Sequence, residues 1–216
     1  CPFPMIAGKH KGAGMLLYPA QVAEVLAPIA EYPEIQFSLK MRLGWENASE
    51  CMVLVELLNT LRLSRIALHA RTGKQQYKGH PDLEAFQGFY ELCQHPLYYN
   101  GGIESLSDIR QILIRFPLLK GVFIGRGLLS SPLLAKEFKG NETFLPEQRM
   151  SIYFAFHEEL FSAYSQVLQG ETQLLVKMKT LWEYFLPETD RKLLKRIKKS
   201  TRLQQYTESV KAIFTS

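Results

Sequence analysis

The chain has 216 residues, 46% of them hydrophobic and 22% charged, which is enough to bury the cores of one or two globular domains. No apolar run reaches the roughly 18 residues of a membrane span. The three cysteines (Cys1, Cys51, Cys93) show no C-x-x-C spacing, which argues against a disulfide framework or a structural zinc site and fits the reducing cytoplasm.

The opening CPFPMIAGKHKGAG lacks the apolar core of a signal peptide. Its first residue is Cys rather than Met, as expected after removal of a leader or in a piece of a longer reading frame. An amphipathic stretch follows at 19–30, and IQFSLKM (35–41) reads as the first buried strand. Helical periodicity at 48–61 leads to a second strand, RIALHA (65–70). A third helix at 82–94 leads to PLYYN (96–100), and a fourth at 105–116 leads to GVFIG (121–125). The strands recur every 25 to 31 residues, the rhythm of βαβ units in a parallel sheet. Four such units make an open sheet or half of a (β/α)8 barrel, since a complete barrel takes about 250 residues. NETFLPEQ (141–148) reads as a linker or the start of a helix. Beyond Met150, four helical segments and no strand signal predict a small all-α domain, so that the expected domains are 1–140 and 141–216.

Charge divides along the same line. Residues 171–216 hold ten Lys or Arg against five Asp or Glu, a net +5 that equals the charge of the whole chain. A basic helical end on a neutral body suggests a polyanion partner, nucleic acid first, with a solvated lysine-rich face as the alternative.

The loops after the strands are where ligands bind in such folds. Lys40 and Arg42, His69 and Arg71, Asn100 with Gly101 and Gly102, and Gly125 with Arg126 stand at equivalent ends of four successive strands. The last two loops, with a helix beginning near Leu128, have the layout of a barrel phosphate site, where glycine lets backbone N–H groups approach an anion. Taken singly, Lys40 reads as an edge-strand lysine reaching solvent, His69 as a hydrogen-bonded core histidine, and the glycines as turn residues.

These motifs resemble, in order and spacing, those of the tRNA-dihydrouridine synthases. CPFPMIAGKHKGAGMLL is similar to the family's segment around Gly-Cys-Pro, and SLKMRLGW to its Val-Lys-Ile-Arg strand. LHART resembles its His-Gly-Arg-Thr, YYNGGI its Asn-Gly-(Asp/Glu)-Ile, and FIGRGLL its Ile-Gly-Arg-Gly. The helical segment resembles the family's tRNA-binding domain less specifically. The resemblance implies the C-terminal half of a TIM barrel followed by a helical domain. It implies FMN as cofactor, NADPH as reductant and tRNA as substrate.

By the same resemblance Cys1 is the general acid that protonates C5 of uracil. An unperturbed thiol, with a pKa near about 8.5, keeps its proton at neutral pH for that task. Lys40, His69, Asn100, Gly101, Gly102, Gly125 and Arg126 are the implied FMN contacts. Arg42 and Arg71 are expected near the substrate base or flavin. Lys9, His10 and Lys11, in a loop after Cys1, are expected at tRNA phosphates. So are Arg191, Lys192, Lys195, Arg196, Lys198, Lys199 and Arg202.

The sequence departs from the family pattern at Ala70 and Gly102, where Gly and an acid are usual, and it lacks the half barrel that precedes the cysteine in family members. An open half barrel predicts self-association through its exposed strand edges. The rival readings are a truncated, inactive tRNA-binding module and another FMN-barrel oxidoreductase acting on a small molecule.

Overall fold

Apolar runs separated by amphipathic stretches fold into parallel strands with helices between them. The computed structural model describes residues 1–215 and divides them into two units, one of Cys1–Ile103 with Ser107–Ile124, the other of Glu104–Leu106 with the residues from Gly125 onward.

The first unit opens with α1 (Pro4–Ala7), a 3-10 helix (Gly12–Leu17), α2 (Pro19–Leu26) and α3 (Pro28–Glu31). The single helix expected at 19–30 is broken because Pro28 has no N–H to continue it and starts a new first turn instead. The hydrophobic stripe nevertheless runs through the break, with Val22, Leu26 and Ile29 all buried. There follow β1 (Phe37–Gly44), α4 (Glu50–Thr60), β2 (Leu63–Thr72), α5 (Leu83–Leu92), β3 (Leu97–Asn100), α6 (Leu106–Arg115) and β4 (Gly121–Phe123). The strands form one sheet in sequential order, every neighbouring pair parallel.

β2 is a central strand, paired with β1 on one side and β3 on the other. Ile66 through Arg71 are all buried, as a parallel sheet requires. α4 contributes Cys51, Leu54, Val55 and Leu58, the i, i+3, i+4, i+7 positions of one face. α5 is started by the Asp82 carboxylate, which accepts from Ala85 N at 2.9 Å. It inserts Phe86 edge-on against Tyr99 and Phe116, with ring centroids 5.0 Å apart in both pairs. Burial pushes the Cys51 thiol up to about 12, so it behaves as a packing group.

The second unit is all helical: α7 (Arg126–Ser130), α8 (Leu134–Gly140), α9 (Pro146–Val167), α10 (Gly170–Leu181), α11 (Arg191–Lys199) and α12 (Leu203–Phe214). α7 and α8, which the sequence pattern groups with the strands, belong to this unit. Leu174, Met178, Trp182, Phe185, Ile197, Tyr206 and Val210 form its core around Tyr153. Three polar side chains share that core. Trp182 Nε1 donates to Tyr206 Oη at 2.9 Å, and Tyr206 Oη lies 2.6 Å from His157 Nε2. No helix of the described residues is long and apolar enough to cross a membrane.

Candidate functional site

The sheet register sets the geometry of the first unit. Arg42 pairs with His69, His69 with Asn100, and Asn100 with Phe123. Registered neighbours in parallel strands share a face, so the polar strand ends expected from sequence stand in one row. Lys40 belongs to the row below, opposite Ala67. The small Ala67 lets the long lysine cross β2, and Nζ donates to Asn100 Oδ1 at 3.0 Å. The amide's other end donates to Phe123 O at 2.8 Å. Asn100 is thereby fixed by β4 with its oxygen toward the cation.

The row is basic. Among the described residues no ion pair involves Lys40 or Arg42. Lys40 keeps contact with solvent, yet partial desolvation and then the nearby Arg42 charge lower its pKa. Burial likewise lowers that of Arg42, opposed by Tyr77 and reinforced by Arg71. A cation made costlier in this way gains from an anionic ligand.

Arg42 and Arg71 are both buried, and their contacts go to the loop after β2. Arg42 Nη1 donates to Thr72 O at 2.7 Å and Gln76 O at 2.8 Å, and its guanidinium carbon lies 5.6 Å from the Tyr77 ring centre. Arg71 Nη2 donates to Gly79 O at 3.0 Å, and its Nη1 is 3.3 Å from His69 Nε2. Arg42, expected near a base or a flavin, ties residues 72 and 76 to β1. Tyr77 and Gly79 are parts of the site that the strand-end pattern does not disclose.

Three further groups outside the expected set build the loop floor. The Glu50 carboxylate accepts from the backbone N–H of Trp45 (2.6 Å), Glu46 (3.1 Å) and Asn47 (2.8 Å), which fixes the turn after β1. Trp45 packs on Gly73 so closely that a Cβ there would collide with its indole. Backbone bonds from Gly73 N to Gly44 O (2.7 Å) and Lys74 N to Trp45 O (2.9 Å) then join the two loops.

Cys1 is exposed, and its carbonyl accepts from Ala13 N at 3.2 Å. Gly12, with φ +56°, approaches Cys1 so nearly that a Cβ would lie 2.7 Å from Cys1 O. The 3-10 helix that begins at Gly12 packs on β1. The structure therefore brings Cys1, Lys40, Arg42, His69, Arg71 and Asn100 to one end of the sheet. Lys9, His10 and Lys11 are exposed between α1 and the 3-10 helix, and the His10 ring stacks on Tyr18 with centroids 4.1 Å apart.

The glycines differ in what explains them. Gly101 (φ +143°) and Gly102 (φ +59°) adopt backbone that L side chains rarely take, and Pro81 would meet a Cβ at Gly102 at 3.0 Å. Gly125, in the second unit, has ordinary φ, and a Cβ there would meet nothing within 4 Å. The space beside Gly125 is open. The helix expected near Leu128 begins at Arg126 and has five residues, too few for a strong dipole. In the same unit, Lys195, Arg196, Lys198 and Lys199 are exposed on α11 and Arg202 at the start of α12.

Residues 1–215 match the family model described as dihydrouridine synthase. Among curated proteins, the chain is 34% identical over 143 residues to a probable tRNA-dihydrouridine synthase of Aquifex aeolicus, covering 64% of this chain and 44% of that protein. It is 30% identical over 144 residues to the tRNA-dihydrouridine(16) synthase of Haemophilus ducreyi, covering 65% and 44%. A probable tRNA-dihydrouridine synthase of Rhizobium leguminosarum bv. phaseoli is 29% identical over 133 residues, covering 61% and 42%. The chain thus spans about half the length of the curated relatives it matches.

Proposed function

Because this chain belongs to the dihydrouridine synthase family, we propose that it is the part of a tRNA-dihydrouridine synthase that reaches from the proton-donating cysteine to the RNA-gripping helices. The observation that carries the reading is the lysine-to-asparagine bond across β2. It holds a cation without an acidic partner over the strand ends, where an anionic group binds.

The residues of the first unit fit FMN: a partly desolvated ammonium for an electron-rich ring and an amide fixed beside it. When bound, FMN supplies the hydride that uracil accepts at C6, with NADPH as the ultimate source. Lys40 stabilises negative charge on the ring, and Asn100 keeps that ammonium in place. Gly101, Gly102, Gly125 and Arg126 serve the phosphate and ribityl chain. His69, steadied by Arg71, completes the wall. The Cys1 thiol delivers a proton to uracil C5, and the turn at Gly12 sets the cysteine's position. Arg42 holds the loop that borders the base. Lys9, His10 and Lys11 meet tRNA phosphates, and the basic stretch of α11 with Arg202 draws the tRNA backbone to the helical unit. The outer edge of β1, unpaired among the described residues, supports self-association.

Visible absorption of the purified protein tests the proposal. The expected result is a flavin spectrum that NADPH bleaches and an added unmodified tRNA restores. Salt-sensitive tRNA binding by a colourless protein would instead establish a tRNA-binding module. Bound flavin without tRNA binding would point to a small-molecule oxidoreductase.

A further inference from the structure

The basic residues of α11 do not share one environment. Lys192, Lys195, Arg196 and Lys199 recur at i, i+3, i+4 and i+7, a single stripe along the helix. They line a groove of about 500 Å³ whose opposite wall is α12, with Gln205, Glu208 and Ser209, and whose corner is Ser200. Arg191, Lys198 and Arg202 carry the same charge and do not line it.

The groove is held in shape from within. Ser200 is buried, Lys179 Nζ donates to its carbonyl, and its hydroxyl donates to Ile197 O at 2.6 Å. Ser209 Oγ donates to Gln205 O at 2.7 Å, and Gln205 Oε1 accepts from Thr201 N at 3.2 Å. The neutral polar groups are thus engaged with the protein itself. The four cations are not: among the described residues none of them forms an ion pair. Glu208, the acid of the opposite wall, accepts from Gln204 at 3.0 Å. Like charges on successive turns of one face repel, and a polyanion removes that cost. From Lys192 to Lys199 the stripe runs roughly 10 Å, the length of about two or three successive phosphates of one strand.

We propose that the groove between α11 and α12 is a track for one sugar–phosphate strand of RNA, gripped by Lys192, Lys195, Arg196 and Lys199 and bounded by the repelling carboxylate of Glu208. This rests on the tRNA reading and narrows it. Of seven cations equivalent by sequence, four hold phosphate, and Arg191, Lys198 and Arg202 add only general attraction.

The test is binding of an unmodified tRNA transcript to the whole protein by anisotropy over a salt series. Lys195→Ala and Arg196→Ala are expected to weaken binding severalfold and each to lower the slope of log K against log salt by about 0.7 to 0.9. Lys198→Ala and Arg191→Ala are expected to leave the slope unchanged, and Glu208→Gln, which keeps an acceptor for Gln204, to tighten binding. The substituted residues are exposed, and circular dichroism checks that the helices persist. Equal losses from Lys198→Ala and Lys195→Ala, or no gain from Glu208→Gln, would overturn the track while leaving tRNA binding intact. Absence of binding by the unsubstituted protein would overturn both readings.

Discussion

The Tyr206 hydroxyl donates a hydrogen bond to His157 Nε2. Trp182 already donates to Tyr206 Oη, so the hydroxyl hydrogen is satisfied in this core only at His157 Nε2, 2.6 Å away. His157 then carries its own proton on Nδ1, facing Glu158 Oε1 at 3.0 Å. Burial, opposed in part by Glu158, lowers the imidazole's pKa below its ordinary 6.5.

A pH dependence follows from the sign of that shift. The folded helical unit holds His157 neutral, whereas the unfolded chain takes up a proton near 6.5. The unfolded state binds more protons below that pH, so stability is retained above it and falls as pH drops through it, by at most about 1.4 kcal/mol per pH unit. Urea melts at pH 7.5 and 5.5, followed by helical circular dichroism, should show this loss in the natural protein. His157→Gln, which keeps an acceptor for Tyr206 and cannot titrate, should flatten it.

Gly73→Ala is expected to destabilise the first unit by about 1–3 kcal/mol, because the added methyl enters the Trp45 indole, which cannot move aside without leaving its own packing. The same substitution in a Trp45→Leu background should cost much less. Denaturant melts of the double-mutant cycle give the coupling.

Asn100 is expected to be intolerant of charge. Asn100→Asp would turn a carboxylate oxygen toward Phe123 O and neutralise Lys40, whereas Asn100→Ala only removes a partner. Fluorescence titration with FMN should therefore show weaker binding for Asn100→Asp than for Asn100→Ala. The opposite order would mean that the Lys40 charge is not used by the flavin.

Arg42→Ala should loosen residues 72–79 by removing the donor shared by Thr72 O and Gln76 O. Tryptic cleavage after Lys74 and Lys78 should accelerate, with Arg42→Lys intermediate. Unchanged cleavage would show that the loop is held without Arg42, by Arg71, Trp45 and Glu50.

The strands were legible because each is an apolar run, and their polar ends were under-read for the same reason. β1 continues through Arg42 to Gly44, and β2 through His69 and Arg71 to Thr72. Pairing there is maintained by backbone bonds, to which hydrophobicity is blind. Arg42, His69 and Asn100 stand level because a parallel sheet brings equivalent positions into register, with Lys40 one row below. Glu50, Tyr77 and Gly79 were not legible, since a carboxylate capping three N–H groups or a carbonyl taken by an arginine leaves no periodic trace. Gly44-Trp45 and Gly73 were the available signal: a large ring beside a glycine, with another glycine in the next loop. On α11, counting charge found the cations, but only the packing of α12 sorts four of them from the rest.

The bonds from Gly73 to Gly44 and from Lys74 to Trp45 carry the sheet's ladder past the strands into the loops. These two loops are consequently not separate cassettes. A graft, insertion or deletion in one would alter the other's backbone partners. Redesign of this end of the sheet would have to exchange residues 44–50 and 72–79 together, as a single inherited part.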